Sequence, residues 1–217
     1  MNTSMIETIH FENRDCVEAM KEFPDNFFEL AIVDPPYGIG IDGQKKCVCK
    51  KRKHNRKYHE KRNWDTGTPT REYFQQLFRV SKNQIIFGAN YFVKELKEAH
   101  KGWIVWDKGQ HGLTMSDCEL AYTSFDFPTR VITINRVELL KEQTIHPTQK
   151  PMKLYRWILA NYAKQGDKII DTHVGSASSL IACERMGFEC WGYEIDETYY
   201  KLAQERIRRE LAQGTLF

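Results

Sequence analysis

The sequence predicts a single-domain α/β protein built on a mostly parallel sheet with an antiparallel hairpin at one edge. Strand-like apolar runs alternate with segments of helical period, which is the signature of a sheet with helices packed on it. The length of 217 residues is that of one domain, and 41% hydrophobic residues with 12% aromatics supply a core. In "CELAYTSFDFPTRVITI", residues 118–134, two strand-like runs flank a turn at Asp126-Phe127-Pro128 with no helix between them, and this reads as the edge hairpin.

In chain order, a first strand is expected at 6–10 and a short helix at 16–22. The run at 29–33, Glu29-Leu30-Ala31-Ile32-Val33, is apolar enough to be a strand buried on both faces. A helix follows over 69–80, capped by Thr68, with Pro69 in its first turn and Phe74, Leu77 and Phe78 on one side. Then come a strand at 84–88, a helix at 90–99, and strands at 102–106, 119–124 and 130–134. The chain closes with a helix at 152–164, a strand at 167–170, a helix at 177–187, a strand at 189–193 and a helix at 197–212. The sequence has no internal repeats.

No apolar run approaches bilayer-spanning length, and the first residues lack the apolar block of a signal peptide, so a cytoplasmic protein is expected. The scattered cysteines 16, 47, 49, 118, 183 and 190 suit a reducing compartment. Charge is unevenly placed. "KKCVCKKRKHNRKYHEKR", Lys45 to Arg62, carries a local +9, which leaves −6 for the rest of a chain whose total is +3. Such a block repels itself unless a polyanion lies against it.

Ligands of open α/β sheets bind where strands end and helices begin, and three strand ends carry unusual chemistry. The first is Asp34-Pro35-Pro36-Tyr37. Two prolines stiffen the backbone, and Pro36 brings no N–H, so the Asp34 carboxylate and the Pro35 carbonyl form a pair of acceptors beside an aromatic face. That set suits a planar group bearing an NH₂, such as a nucleobase. The second is "DTHVGSASS" from Asp171, with an acid, Glu194, 19 residues after Gly175. This is the layout of a nucleotide site in which an acid grips ribose hydroxyls, without the glycine fingerprint of a pyrophosphate site. The third is the stiff loop "HPTQKP", His146 to Pro151, ahead of a helix.

Together these strings resemble the amino-methyltransferases of DNA, and in motif order they are similar to the permuted group called the β class. The resemblance covers about three quarters of the chain. It implies a Rossmann-like methyltransferase fold and S-adenosylmethionine as cofactor. Asp34, Pro35, Pro36 and Tyr37 would be the catalytic motif. The cofactor would be held by Asp15 and Cys16 at its adenine edge, by Asp34, and by His146, Thr148, Gln149, Lys150 and Pro151 closing over its methionine part. Asp171, Thr172, His173, Gly175, Ser176, Ala177 and Ser178 would form the cofactor loop, with Glu194, Ile195 and Asp196 at the ribose. Thr172 and His173 stand where the family usually has Pro and Phe, and Ala177 where it has a second Gly; Ala177 is small enough to let the cofactor approach if its φ is negative.

The resemblance further implies duplex DNA as partner, with a flipped adenine methylated at N6. Residues 38–66 would be a basic insertion contacting DNA through Lys50, Lys51, Arg52, Lys53, Arg56, Lys57, Lys61, Arg62 and Trp64. The loop 107–118 and the connection 135–145 would read bases. No metal is expected, since Cys47, Cys49, His54 and His59 match no common zinc spacing. The tail "QGTLF", 213–217, resembles the short peptide by which bacterial replication proteins dock on the sliding clamp, and deleting it should abolish capture of the clamp. Three alternatives stay open at this point: cytosine N4 as the target, an RNA or protein substrate, or a DNA-binding module with a decayed cofactor pocket.

Overall fold

The structure is a computed structural model that describes residues 8–43, 60–96, 101–112, 116–135, 138–139 and 142–212. Eight strands form one sheet: β1 (Ile9–Glu12), β2 (Phe28–Val33), β3 (Ser81–Phe87), β4 (Trp103–Asp107), β5 (Cys118–Thr123), β6 (Arg130–Thr133), β7 (Lys168–Asp171) and β8 (Glu189–Tyr193). Their order is β1-β8-β7-β2-β3-β5-β4-β6. Every pairing is parallel except those of β5, which runs against both β3 and β4. The helices are α1 (Cys16–Met20), α2 (Arg71–Val80), α3 (Met152–Tyr162), α4 (Ser178–Arg185) and α5 (Glu197–Ala212).

The apolar run of β2 explains the layering. Leu30 and Ile32 point into one core with Ile85, Phe87 and the inner faces of α3, α4 and α5. Ala31 and Val33 point to the other, with Ala19, Met20 and the Tyr73, Phe74, Leu77, Val80 stripe of α2. A strand buried on both faces needs no polar alternation, and each buried Leu or Ile contributes about 1.5–3 kcal/mol.

Three expectations are corrected. The run at 118–123 does not pair with that at 130–133: β4 lies between them, antiparallel to β5 and parallel to β6, so the antiparallel hairpin joins β4 and β5. Of the helix expected at 90–99, residues 97–99 lie outside the described residues, and the described part holds two 3₁₀ turns instead, Ala89–Tyr91 and Val93–Glu95. Gly88, at φ +65°, starts the first of them, and the chain hugs the Tyr37 ring instead of running straight. The cap of α2 is Thr70, whose hydroxyl accepts from Tyr73 N at 3.3 Å, so Thr68 and Pro69 lie before the helix.

Candidate active site

The ends of β2, β7 and β8 and the beginning of β5 meet at one edge of the sheet. β5 arrives there because it is reversed: Ala121 pairs with Phe87 at the end of β3, and Cys118 with Asp107 at the end of β4.

Asp34 follows Val33 at the end of β2. Its Oδ1 accepts a hydrogen bond from the Tyr37 hydroxyl at 2.5 Å. Its Oδ2 is bound by the Lys150 ammonium, which is also 3.1 Å from Glu119 Oε2 and 3.4 Å from Tyr37 Oη. Lys150 is buried, with its nitrogen 4.7 Å from the centre of the Phe87 ring. Glu119 in turn accepts from Lys108 at 2.8 Å. Burial alone would lower the Lys150 ammonium, but the two carboxylates hold it above its ordinary value. Burial raises Asp34, with Lys150 opposing. Burial would raise Glu119 too, but its two lysine neighbours hold it below the usual carboxylate range. Lys150, assigned by the sequence to the cofactor's methionine part, sits on the Asp34 carboxylate.

The Tyr37 ring stacks on exposed Tyr91, centroids 5.1 Å apart and planes 15° apart, and meets Phe92 edge-on. The backbone beyond it is pinned by buried Asp65, which accepts from Gly38 N at 2.7 Å and Ile41 N at 2.8 Å. Pro35 is buried and Pro36 half-buried.

The second strand end is the loop after β7. Asp171 accepts from His173 N at 3.0 Å and from the Ser179 hydroxyl, and burial pushes its carboxyl up to about 7, with Asp34 and Glu194 adding to the rise. Thr172 Oγ1 shares hydrogen bonds with Tyr73 Oη at 2.8 Å and His173 Nδ1 at 2.9 Å. Desolvation pulls the His173 imidazole down to about 4, which makes it a neutral ring packed edge-to-face on Tyr73. Gly175 N donates to Glu194 Oε2, and Asp196 N to Oε1, both at 2.9 Å. Ala177 lies at φ +61°, so the condition of a negative φ is not met, at a cost of about 1–2 kcal/mol for a residue with a Cβ. The turn is held by fully buried Arg206 of α5, which donates to Ser176 O at 2.7 Å, to Ser178 Oγ at 2.8 Å and to Glu142 at 3.0 Å.

The remaining assigned residues divide. Asp15 caps α1 by accepting from Val17 N and Glu18 N, and burial pushes the adjacent Cys16 thiol up to about 12. Asp196 caps α5 through Thr198 N and Tyr199 N, so its carboxylate is engaged by the fold, and Ile195 is exposed. In the third strand-end loop, the His146 ring takes a hydrogen bond with Thr148 Oγ1 at 3.0 Å, Gln149 accepts from Ile145 N, and Pro151 leads into α3. Arg62 and Trp64, expected at DNA, also make contacts within the protein. Trp64 packs on His146, and Arg62 lies 3.5 Å from Asp196 and over Tyr199. Lys61 is exposed. Lys50, Lys51, Arg52, Lys53, Arg56 and Lys57, the Cys47, Cys49, His54 and His59 set, and the tail 213–217 lie outside the described residues. Among the described residues no three His, Cys, Asp or Glu side chains are placed to hold a metal, and no helix is long and apolar enough to cross a membrane.

The donor set fits the sulfonium cofactor implied by the sequence. Asp34, Asp171 and Glu194 are near enough to raise Asp171 together, a crowding of buried acids that a cationic ligand relieves. Gln149 Nε2 is a buried donor without a hydrogen-bond partner among the described residues. Lys108, Glu119, Tyr91 and Arg206 were not singled out by the sequence. The only local signal for Glu119 is an acid inside the strand-like run that begins at Cys118.

A family model described as "DNA methylase" matches residues 94–205, just over half of the chain. The chain belongs to the DNA methylase family. The methylase is 25% identical over 240 aligned positions to the type II methyltransferase M.HpaI of Haemophilus parainfluenzae, an alignment covering 90% of this chain and 73% of that one. It superposes on M1.HpyAVI, solved as a complex with SAM, with a TM-score of 0.60 at 17% identity, covering 92% of this chain and 98% of that one. On the PvuII DNA methyltransferase, described as cytosine-N4-specific, the TM-score is 0.62 at 11% identity, covering 95% and 91%. The last two likenesses are of fold. The methylase is thus a DNA amino-methyltransferase of the N6/N4 type.

Proposed function

We propose that this methylase transfers a methyl group from S-adenosylmethionine to the N6 amine of an adenine flipped out of duplex DNA. The observation that carries the reading is the ionisable carboxylate of Asp34, rather than an amide, at the end of β2 and within electrostatic reach of the loop after β7. When bound, the cofactor supplies an electrophilic methyl group on a sulfonium. The exocyclic amine of adenine is a poor nucleophile because its lone pair is delocalised into the ring. Hydrogen bonds donated by that amine to Asp34 and the Pro35 carbonyl pull the nitrogen toward tetrahedral geometry and localise the pair. Methyl transfer to that nitrogen would leave the spent cofactor as a neutral thioether, and the extra proton on the methylated amine would pass to the Asp34 carboxylate or to water. The rest is positioning and fixed electrostatics. Flipping costs a few kcal/mol, offset in part by stacking on the Tyr37 ring.

The cofactor set supporting this is Glu194, the loop 171–178, the third strand-end loop and the end of β1. The basic block from Lys45 onward supports sequence-independent phosphate contact, whose signature is a steep salt dependence of DNA binding. Cytosine N4 is the second reading, favoured by the likeness to the PvuII enzyme. The two part in one experiment. Unmethylated duplex DNA is incubated with protein and cofactor, digested to nucleosides and analysed by mass spectrometry. N6-methyladenine is the expected product, and N4-methylcytosine would overturn the base assignment. Asp34→Ala should lower product formation by at least about 10²-fold with cofactor binding retained.

A further inference from the structure

Both oxygens of the Asp34 carboxylate are engaged by protein groups, Oδ1 by the Tyr37 hydroxyl and Oδ2 by the Lys150 ammonium. An amine that is to donate to this carboxylate must first take one oxygen from its holder. Lys150 has somewhere else to go. Its nitrogen lies 3.1 Å from Glu119 Oε2, an ion-pair distance at which Glu119 Oε2 accepts no aligned hydrogen bond. The ammonium leans toward Asp34 while a second buried carboxylate stands beside it. That second carboxylate is itself shared, since its other oxygen is bound by Lys108 at 2.8 Å.

Lys150 cannot leave the site without stranding a charge in a buried environment, which is expensive. It can turn between two acceptors with little change in burial. We infer that Lys150 is a latch on the catalytic carboxylate, with Glu119 as its second seat: the target amine takes Asp34 Oδ2 as the ammonium swings fully onto Glu119. Glu119 is then a positioning residue that acts on the reaction only through Lys150. Lys108 sets how readily it receives the ammonium, because the two lysines compete for one carboxylate. This rests on the reading of Asp34 as the acceptor of the target amine.

Two near-isosteric substitutions test the latch because they push it in opposite directions. Glu119→Gln weakens the second seat and leaves Lys150 on Asp34. The Michaelis constant for unmethylated bacteriophage DNA should rise roughly tenfold or more, the loss of one charged hydrogen bond, with cofactor affinity unchanged by calorimetry. Lys108→Met frees Glu119 for Lys150 and should lower the same constant about threefold, a modest change in how two lysines share one carboxylate. Simple structural damage would move both variants the same way. The latch is overturned if both constants move together, if neither moves, or if Glu119→Gln weakens cofactor binding instead. Wild-type protein assayed alongside separates the two levels. If it forms no methylated base, the acceptor reading of Asp34 fails and the latch with it; if it methylates normally while the variants match it, the latch alone fails.

Discussion

Replacing Gly88 with alanine puts a methyl group where the Tyr37 ring already is. A Cβ built on Gly88 would stand 2.1 Å from Tyr37 Cε1 and 2.5 Å from Cδ1 and Cζ, and carbon atoms in contact need about 3.5 Å or more. The ring must therefore move by more than about 1 Å, or the 3₁₀ turn must rebuild. Gly88 also sits at φ +65°, which adds about 1–2 kcal/mol for any residue with a Cβ. Tyr37 can yield because the ring stacked on its face, Tyr91, is 46% exposed, so displacement is cheaper than unfolding. A misplacement on this scale lowers turnover by about 10²-fold. The melting temperature should fall by about 2–4 °C per kcal/mol of strain for a chain of this size. The assay is methyl incorporation into DNA at saturating cofactor, with calorimetric cofactor binding as the control, since Gly88 lies away from the loop after β7. The double variant Gly88→Ala/Tyr37→Ala tests the cause: with the ring gone there is nothing to displace, and the two changes should be strongly non-additive. Turnover of Gly88→Ala within twofold of wild type would refute the reasoning, as would simple additivity in the double variant.

Asp171 gives a pH prediction. Its folded-state value of about 7 lies above the ordinary carboxylate range, so its contribution is fully present below about pH 4 and is lost as pH rises through 7. Asp171→Asn should gain on wild type by on the order of 2–4 kcal/mol between pH 4 and pH 8 in urea unfolding, and a gap that does not change with pH contradicts this. Arg206→Met leaves Glu142 half-buried without its cation and releases Ser176 and Ser178. It should lower stability by about 3 kcal/mol and weaken cofactor binding through the loosened turn at Ala177; unchanged unfolding midpoint and affinity would count against that role.

Each strand was visible in the sequence to within about three residues because the apolar runs are short and bounded. The Asp34 motif was visible because two prolines and a ring after such a run have no ordinary structural use. The pairing of the strands was not visible. Nothing in 118–134 reveals that β4 inserts between its two halves, since that choice is made by contacts distant in sequence. The helix expected at 90–99 failed for a related reason: the side chains of Tyr91 and Phe92 pack on Tyr37, more than fifty residues away, and tertiary packing overrode the local period. Lys150 was found as a residue, but its contact with Asp34 was not foreseen. Its motif lies in a loop assigned to the cofactor, and its partner is 116 positions away, where no spacing rule reaches. Glu119 and Lys108 carry no motif at all: Lys108 comes to the carboxyl edge just past the end of β4, and Glu119 because β5 is reversed.

That reversed strand also isolates the chain between β4 and β5. At its base the ladder is closed by the Asp107–Cys118 pair, and Lys108 N donates to Asp117 O at 2.9 Å. The described residues beyond this closure are tied to the sheet at both feet, with Lys108 and Glu119 joining that base to Lys150 and Asp34. Insertions or exchanges in that span leave the register of the sheet untouched. If that segment reads bases, exchanging it alone would redirect the enzyme to another sequence while the strands beneath it keep their pairing.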